Sequence, residues 1–113
     1  MLQTILFICS ANKQRSKTAE DYFSSKYADL KFISAGTNIK ICKREGTTPL
    51  TFEELEHADL VFVMEQRHKK LIMNFINGKL KKELIVLNIP DIYKYYQKEL
   101  IEILEEKLKP YLP

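Results

Sequence analysis

A cysteine and an arginine at a set spacing, followed at once by a serine, are the residues of this sequence best suited to chemistry. Cys9 ends the apolar run TILFI, Arg15 follows six positions later, and Ser16 comes directly after the arginine. A five-residue spacer that opens a helix can wrap the backbone into a ring whose N–H groups converge on an anion of phosphate size. The segment therefore predicts an anion-binding loop that carries a thiol.

The loop also contains the groups that would make the thiol react. The planar fork of Arg15 matches two phosphate oxygens, and the positive field of a guanidinium and a helix N-terminus favours the thiolate form of Cys9. The Ser16 hydroxyl can donate a hydrogen bond to that thiolate. The alternative is that Cys9 is a small buried hydrophobe and Arg15 a surface charge. We predict Cys9 and Arg15 as catalytic residues and a phosphate-binding segment of Ser10, Ala11, Asn12, Lys13, Gln14, Arg15 and Ser16.

Apolar runs alternate with helical periodicity along the chain, and this order predicts how the loop is held. Strands are expected over residues 2–9, 30–36, 59–64 and 83–89, and a loop over 37–49. Helices are expected over 16–27 with Ser16 as N-cap, 51–58 with Thr51 as N-cap, 66–79 and 97–109. The residues expected to face the core are, in the third helix, Leu71, Ile72, Phe75 and Ile76 and, in the last helix, Leu100, Ile101, Leu104 and Leu108. The pattern predicts one α/β domain over residues 1–113: a four-stranded parallel sheet with helices on both faces, in three layers.

The parallel sheet brings a carboxylate to the same edge as the thiol. Ligands of such sheets bind beyond the carboxyl ends of the strands, where the strand order reverses. The loop after the first strand and the loop after the fourth, residues 90–96, both lie there, so Asp91 can meet Cys9 and serve as general acid and base. The alternative for Asp91 is a turn residue after Pro90. Three tyrosines that follow can stack on an aromatic substrate or pack against the last helix: Tyr93, Tyr95 and Tyr96.

Four segments, in the same order along nearly the whole chain, resemble the low-molecular-weight protein tyrosine phosphatases, and most closely their small bacterial branch. The segments are FICSANKQRSKTAEDYF, ISAGT, HADLVFVM and IPDIYKYY. The family motif Cys-x-Gly-Asn-x-x-Arg-Ser is matched by Cys9, Asn12, Arg15 and Ser16. The resemblance implies that these act as nucleophile, loop-shaping residue, phosphate clamp and thiolate donor. It further implies that Ser34 bonds the loop Asn and that Tyr93 walls the substrate cleft.

The sequence departs from the family pattern at several positions. Ala11 replaces the motif glycine, Gln14 stands where many members have a second cysteine, and no proline follows Asp91. The chain is also shorter than typical members, which trims the wall of the substrate cleft. These departures concern the range of substrates more than the binding of phosphate.

Composition and charge narrow the function classes. The net charge of +3 is too small to indicate a nucleic-acid partner, and no apolar run approaches the ~20 residues that a membrane helix needs. With Cys9 closing an apolar strand, we expect a reduced, cytoplasmic protein. His57 and His68 show no metal-ligand pattern and are interpreted as surface or capping residues, so no metal and no cofactor are expected. Cys42 is interpreted as a spectator thiol, with a role in resolving oxidised Cys9 as the alternative.

The predicted function is the hydrolysis of a phosphomonoester through phosphocysteine, on protein phosphotyrosine or a small aryl phosphate. Two alternatives remain. A non-catalytic phosphate or phosphopeptide binding module would explain the changed loop and the missing proline, but has no use for a nucleophile. A thiol-dependent arsenate reductase needs two further cysteines, and only Cys42 is present.

Overall fold

The structure is a computed structural model that describes residues 3–113. Its elements, in chain order, are β1 (Gln3–Cys9), α1 (Arg15–Lys26), β2 (Leu30–Gly36), α2 (Ile39–Glu45), α3 (Phe52–His57), β3 (Leu60–Val63), α4 (Gln66–Ile76), β4 (Leu84–Val86) and α5 (Lys98–Leu108). The predicted alternation of strands and helices is confirmed, with one helix more than expected.

The four strands form one parallel sheet in the order β2-β1-β3-β4. β1 therefore lies inside the sheet, with Cys9 opposite Gly36 of β2 and Ile8 opposite Val63 of β3. The chain leaves β1 towards β2 on one side and returns to β3 on the other. The carboxyl end of β1 is thus the point where the strand order reverses, which confirms the predicted α/β class and marks the place for a ligand.

Each face of the sheet has its own hydrophobic core. Alternate residues of β1, Ile5, Phe7 and Cys9, pack with Phe23 of α1 and with three leucines of α5, whereas Leu6 and Ile8 pack with residues of α3 and α4. Every residue of β1 from Ile5 to Cys9 is buried, and each large apolar side chain contributes roughly 1.5–3 kcal/mol on burial. The last residue of this doubly covered strand is the predicted nucleophile.

Two strands are shorter than the sequence indicated, and the predicted first residue of β1, Leu2, lies outside the described residues. β3 covers Leu60–Val63 and β4 only Leu84–Val86. The chain nevertheless stays beside β3, because the N–H groups of Leu87 and Ile89 donate to the carbonyls of Val63 and Met64. Pro90 and Asp91 are thereby delivered to the carboxyl edge of the sheet.

Helix α1 begins one residue earlier than predicted, and Ser16 is not its N-cap. The N-cap position is Gln14, and the first turn contains no acidic residue. Ser16 is fully buried, and its hydroxyl is bonded to the side chains of Cys9 and Asn12 instead of to the helix backbone. The hydrogen bonds that Ser16 makes within the loop therefore replace the helix-capping bond that serine favours locally.

The predicted loop over residues 37–49 contains the helix α2, which the sequence analysis missed. Asn38 caps it, since its Oδ1 accepts the Ile41 N–H at 3.1 Å, and Gly46 ends it in the left-handed conformation with φ 72°. Thr51 caps α3 in the predicted way and forms a capping box with Glu54. The signals for α2 were present, but only seven residues separate its cap from its stop.

Helix α4 turns a different face to the sheet than predicted. Its buried residues are His68, Ile72 and Ile76, which follow one another at helical spacing. Leu71 and Phe75, expected to point inward, are 54% and 53% exposed. They stand one position before the buried stripe, about 100° around the helix, where the sheet no longer covers them. In α5 the stripe of Leu100, Leu104 and Leu108 is buried as predicted, while Ile101 is only partly buried.

Candidate active site

The loop of residues 9–15 lies at the carboxyl end of β1, pressed against the end of β2. Its carbonyls accept hydrogen bonds from the following segment: Thr37 N–H to Cys9, Asn38 N–H to Ser10 and Thr47 Oγ1 to Ala11. A Cβ at Gly36 would lie 2.5 Å from the Ser10 carbonyl oxygen and 3.0 Å from the Asn12 nitrogen. Only glycine fits there, because the loop backbone occupies the space.

Asn12 shapes the loop from inside. Its backbone is left-handed, with φ 53°, a conformation that Asn tolerates better than most residues, and its side chain is 2% exposed. The amide nitrogen donates to Ser16 Oγ at 2.9 Å and to Ser34 Oγ at 2.8 Å, while Oδ1 accepts the Thr48 N–H at 3.2 Å. Ala11 is outside the left-handed region. Its replacement of the motif glycine therefore brings no backbone strain.

A directed chain of hydrogen bonds ends on the Cys9 thiol. The Glu20 carboxylate only accepts, so Ser34 donates to it at 2.5 Å, and the Ser34 oxygen is left to accept from Asn12. Asn12 also donates to the Ser16 oxygen, so the Ser16 hydrogen is free for Cys9 Sγ, 2.9 Å away. The network thus supplies a donor to the sulfur, which stabilises a thiolate.

Arg15 is buried to 2% exposure and is held on one edge of its guanidinium. Nη1 donates to the Ile89 carbonyl at 2.7 Å and to Glu65 Oε2 at 2.5 Å. The opposite edge, formed by Nε and Nη2, makes no hydrogen bond to any protein atom in residues 3–113. Two parallel N–H groups in this position can hold two oxygens of a phosphate.

Glu65 is a site residue that the sequence analysis missed. Its carboxylate accepts from Arg67 Nη2 at 3.0 Å as well as from Arg15, and these two arginines, Arg67 foremost, lower the pKa of Glu65 to about 2. It is therefore ionised throughout the neutral range. Its position at the end of β3, on the edge that holds Cys9, was the available signal.

His68 was interpreted as a surface or capping residue, and the structure corrects half of this. It does close a capping box, with Nδ1 accepting the Glu65 N–H at 3.1 Å, but it is fully buried. Burial, aided by Arg15 and Arg67, lowers the pKa of His68 to about 4. Since Nδ1 accepts, the neutral ring carries its proton on Nε2, which donates to Ser10 Oγ at 2.9 Å. The N-terminal end of α4 therefore holds the loop at two points, since its N-cap residue Glu65 bonds Arg15 and His68 bonds Ser10.

The remaining loop side chains are less deeply placed. Lys13 is exposed and pairs with Glu45 of α2 at 2.6 Å, and Gln14 accepts the Thr18 N–H with its backbone carbonyl. Asn12 and Ser16 are thus bonded to each other, and Ser16 to Cys9. Ser10 and Arg15 are held instead by His68 and Glu65, and Lys13 lies at the rim of the loop.

Asp91 stands at the mouth of the loop. Its Oδ1 lies 3.7 Å from Arg15 Nε, on the edge that would face a phosphate, and its side chain is 56% exposed. Tyr95 donates to Asp21 Oδ2 at 2.5 Å and the Tyr96 N–H donates to Thr18 Oγ1 at 2.8 Å, so the segment is tied to α1. Tyr93 is half-buried and packs against the core beside α5.

Cys42 lies behind the loop, not in it. Its thiol is buried, with Sγ 3.5 Å from the Ala11 carbonyl oxygen, and a Cβ at Gly36 would come within 2.5 Å of that sulfur. Both cysteines are free thiols. The sulfur of Cys42 thus fills the space between α2 and the outer side of the loop.

Two further properties concern the whole described range. Residues 3–113 contain no group of three or more His, Cys, Asp or Glu side chains arranged to hold a metal ion. His57, the other histidine, bonds its own helix through the Glu53 carbonyl. In the same range no helix has the length and apolar character that a membrane crossing requires.

Comparisons with solved structures identify the fold. No family model and no curated protein matches the chain. A low-molecular-weight protein tyrosine phosphatase from T. tengcongensis is 25% identical over 97% of this chain and 99% of its own, with a TM-score of 0.75. YwlE from Bacillus subtilis is 26% identical over 96% and 97%, with a TM-score of 0.70. A YwlE arginine phosphatase from Geobacillus stearothermophilus is 22% identical over 96% and 94%, with a TM-score of 0.66.

Proposed function

We propose that this chain, which has the fold of the low-molecular-weight protein tyrosine phosphatases, hydrolyses phosphomonoesters through a phosphocysteine on Cys9. The observation that carries the proposal is the hydrogen-bond chain that ends on the sulfur. Ser16 Oγ is 2.9 Å from Sγ, and Asn12 orients its hydrogen towards that sulfur. A buried cysteine that only packs has no need of such a donor, whereas a thiolate nucleophile and leaving group does.

Substrate binding is assigned to the loop and to Arg15. The phosphate dianion would accept hydrogen bonds from the loop N–H groups and from the free Nε–Nη2 edge of Arg15. Glu65 and the Ile89 carbonyl fix that edge in advance, so little reorganisation accompanies binding. As the reaction proceeds, the same donors stabilise the charge on the equatorial oxygens of the transferring phosphoryl group.

The reaction takes place in two displacements. In the first, the Cys9 thiolate attacks phosphorus, the S–P bond forms, the P–O bond to the leaving group breaks, and protonated Asp91 gives its proton to the leaving oxygen. In the second, Asp91, now a carboxylate, takes a proton from water as the oxygen of that water attacks phosphorus. The P–S bond breaks, inorganic phosphate leaves, and Ser16 receives the thiolate with its hydrogen bond.

The substrate class proposed is protein phosphotyrosine. Tyr93, Tyr95 and Tyr96 lie in the same segment as Asp91, and the rings of Tyr95 and Tyr96 are 48% and 42% exposed. Exposed rings next to the acid offer stacking surface for an aryl leaving group. Tyr93, the predicted wall residue, contributes only the part of its ring that the core leaves free.

The test is hydrolysis of p-nitrophenyl phosphate against pH by the wild type, Cys9→Ser and Asp91→Asn. We expect turnover by the wild type and none by Cys9→Ser. Asp91→Asn should lose on the order of 10²–10⁴-fold in kcat, because no acid protonates the leaving oxygen, and should lose the basic limb of its pH profile. Mass spectrometry of Asp91→Asn quenched in alkali, where the S–P bond is stable, should detect the phosphoryl group on Cys9, since its hydrolysis is slowed too.

Other outcomes point elsewhere. An inactive wild type that binds phosphate in an Arg15-dependent way would establish the non-catalytic binding module. Arsenate reduction with an added thiol, without phosphatase activity, would establish the reductase. Preference for phosphoarginine over phosphotyrosine peptides would keep the mechanism and replace the substrate class.

A further inference from the structure

We propose that a groove between α2 and α4 binds an apolar side chain in an acidic stretch of the phosphorylated polypeptide, next to the phosphorylated residue. This α2–α4 groove is lined by Thr37, Ile39, Leu50, Leu71, Ile72 and Phe75 and has a volume of about 140 Å³. The inference rests on the proposed function and deepens it. It makes the substrate a protein segment with a recognisable sequence instead of any small aryl phosphate.

The groove is made of apolar side chains that packing leaves uncovered. Ile39 is 49% exposed, Leu71 54% and Phe75 53%, and they come from two helices, α2 and α4, that both line the groove. A cavity of about 150 Å³ lined by such residues holds a benzene ring. The groove therefore has room for one leucine, isoleucine or phenylalanine side chain.

The groove begins beside the reactive loop. Thr37, on its wall, donates its N–H to the Cys9 carbonyl at 2.9 Å, and His68, one turn before Leu71, holds Ser10. Leu71 and Phe75 follow His68 by about 5 and 10 Å along the axis of α4. Because an extended peptide advances about 3.3 Å per residue, the apolar residue belongs two to four positions from the phosphorylated one.

The charge of the two helices that form the groove favours an acidic partner. Within their bounds, α2 and α4 contain six basic residues and one acidic residue, Glu45, while the net charge of the chain is +3. The rest of the chain is thus slightly acidic, and the positive charge is concentrated on the two helices that form the groove. The basic residues are Lys40, Lys43, Arg44, Arg67, Lys69 and Lys70. An acidic segment is attracted to this surface.

The same charges and the shape disfavour other occupants. A second copy docked by the same face would bring two basic surfaces together, and like charges in contact are costly. A bilayer surface is flat, whereas Leu71, Ile39 and Leu50 line a concavity that a single side chain can enter. A peptide satisfies both the shape and the charge.

The experiment compares pairs of phosphotyrosine peptides with p-nitrophenyl phosphate. The peptides share acidic residues and differ in one residue, Leu or Ser, scanned two to four positions on either side of phosphotyrosine. Leu71→Ser removes the groove wall. Met73→Ser is its matched control, because Met73 is 48% exposed on the same helix but does not line the groove. We measure kcat/KM on each background and peptide Kd on the Cys9→Ser form, which reports binding without turnover.

We expect the wild type to prefer the Leu peptide about tenfold at one of these positions, mainly through KM. Leu71→Ser should lose that preference, and Met73→Ser should keep it. Equal kcat/KM and equal Kd for the Leu and Ser peptides at every position would overturn the proposal. So would a dimer, or binding to anionic vesicles, that Leu71→Ser abolishes. Failure to hydrolyse p-nitrophenyl phosphate would overturn the proposed function instead, while the Kd comparison would still decide the groove.

Discussion

The phosphate loop, residues 9–15 with Ser16 directly after it, and the acid segment, residues 90–96, lie at the same carboxyl edge of the sheet but are built in opposite ways. In the loop, Cys9, Asn12, Arg15 and Ser16 are buried. Ser34 of β2 bonds Asn12, and Glu65, the N-cap residue of α4, bonds Arg15. In the acid segment, Asp91 and Ile92 are exposed. Its hydrogen bonds to α1 are donated by the Tyr95 hydroxyl, to Asp21, and by the Tyr96 N–H, to Thr18.

The buried phosphate loop and the exposed acid segment differ in the way that their proposed roles require. An anion site works best when its donors are fixed before the anion arrives, since no reorganisation is then needed in the transition state. An acid has to protonate leaving groups of different shape and later reach a water molecule. Burial is therefore used to hold the loop, and exposure keeps Asp91 accessible. Substitutions in the loop should consequently have larger effects than substitutions in the tethers of the acid segment.

The largest effect is expected from Arg15→Lys. Lysine keeps the positive charge, but its single ammonium group cannot bond Ile89 and Glu65 and at the same time donate two parallel N–H bonds to phosphate. We expect kcat/KM for p-nitrophenyl phosphate to fall on the order of 10²–10³-fold. Arg67→Lys is the control, because Arg67 bonds the same Glu65 from an exposed position, and it should stay within about threefold. Similar losses in both variants would show that the bidentate edge is not what binds phosphate.

The next effect is expected from Asn12→Ala, which removes the centre of the loop network. Asn12 is buried, so its loss leaves the part-buried Thr48 N–H without its partner and Ser16 without its orientation. The free energy of unfolding should fall by about 1–3 kcal/mol, and kcat should fall with it. Asn12→Gly separates the two causes, since glycine accepts φ 53° without strain. Urea denaturation should rank glycine above alanine, while kcat should be equally low in both. A glycine variant with normal kcat would argue against the relay.

A smaller effect is expected from the titration of His68, the α4 residue that bonds Ser10 of the loop. It concerns the dependence of stability on pH. The pKa of His68 is about 4 in the folded protein, below its ordinary value of 6.5. Between these values the unfolded chain binds a proton that the folded chain does not, so stability falls as the pH is lowered through this range. For one such group the loss between pH 7 and pH 5 is about 2 kcal/mol. The pKa of Glu65, about 2, puts its own contribution at lower pH.

Urea unfolding of His68→Gln at pH 7 and pH 5 measures this loss. The variant should lose the pH dependence, because glutamine does not titrate there. His57→Gln, on the exposed end of α3, should retain it. A wild type equally stable at both pH values would mean that His68 is protonated in place.

The smallest effect is expected from Tyr95→Phe, which cuts the bond to Asp21 and leaves the ring. An exposed hydrogen bond contributes no more than about 1 kcal/mol, and kcat should change by no more than a few-fold. Denaturation and steady-state kinetics measure both. If Tyr95→Phe cost more activity than Asn12→Ala, the acid segment would be the part that needs fixing, and the contrast between the two halves would be reversed.

The local pattern determined most of the fold and the centre of the loop. Four strands, the helices after them and the parallel order follow from apolar runs and spacing, and the likeness to phosphatase structures confirms the resemblance seen in the motifs. The path of β4 to Asp91 was predictable for the same reason. The helix α2 could have been found from Asn38 and Gly46, whose signals were present in the sequence.

Only the tertiary structure decided what surrounds the reactive residues. Three partners of the loop, Glu65, His68 and Ile89, come from up to 74 positions away, and no local pattern pairs residues at such separations. Ser16 was a suitable N-cap for α1 by its local sequence, but in the folded protein its hydroxyl bonds Cys9 and Asn12 instead. The periodicity of α4 predicted Leu71 and Phe75 in the core, but in the folded protein the sheet does not cover them. Short-range periodicity fixes which elements form, but burial and hydrogen bonding in the assembled fold decide which side chains meet.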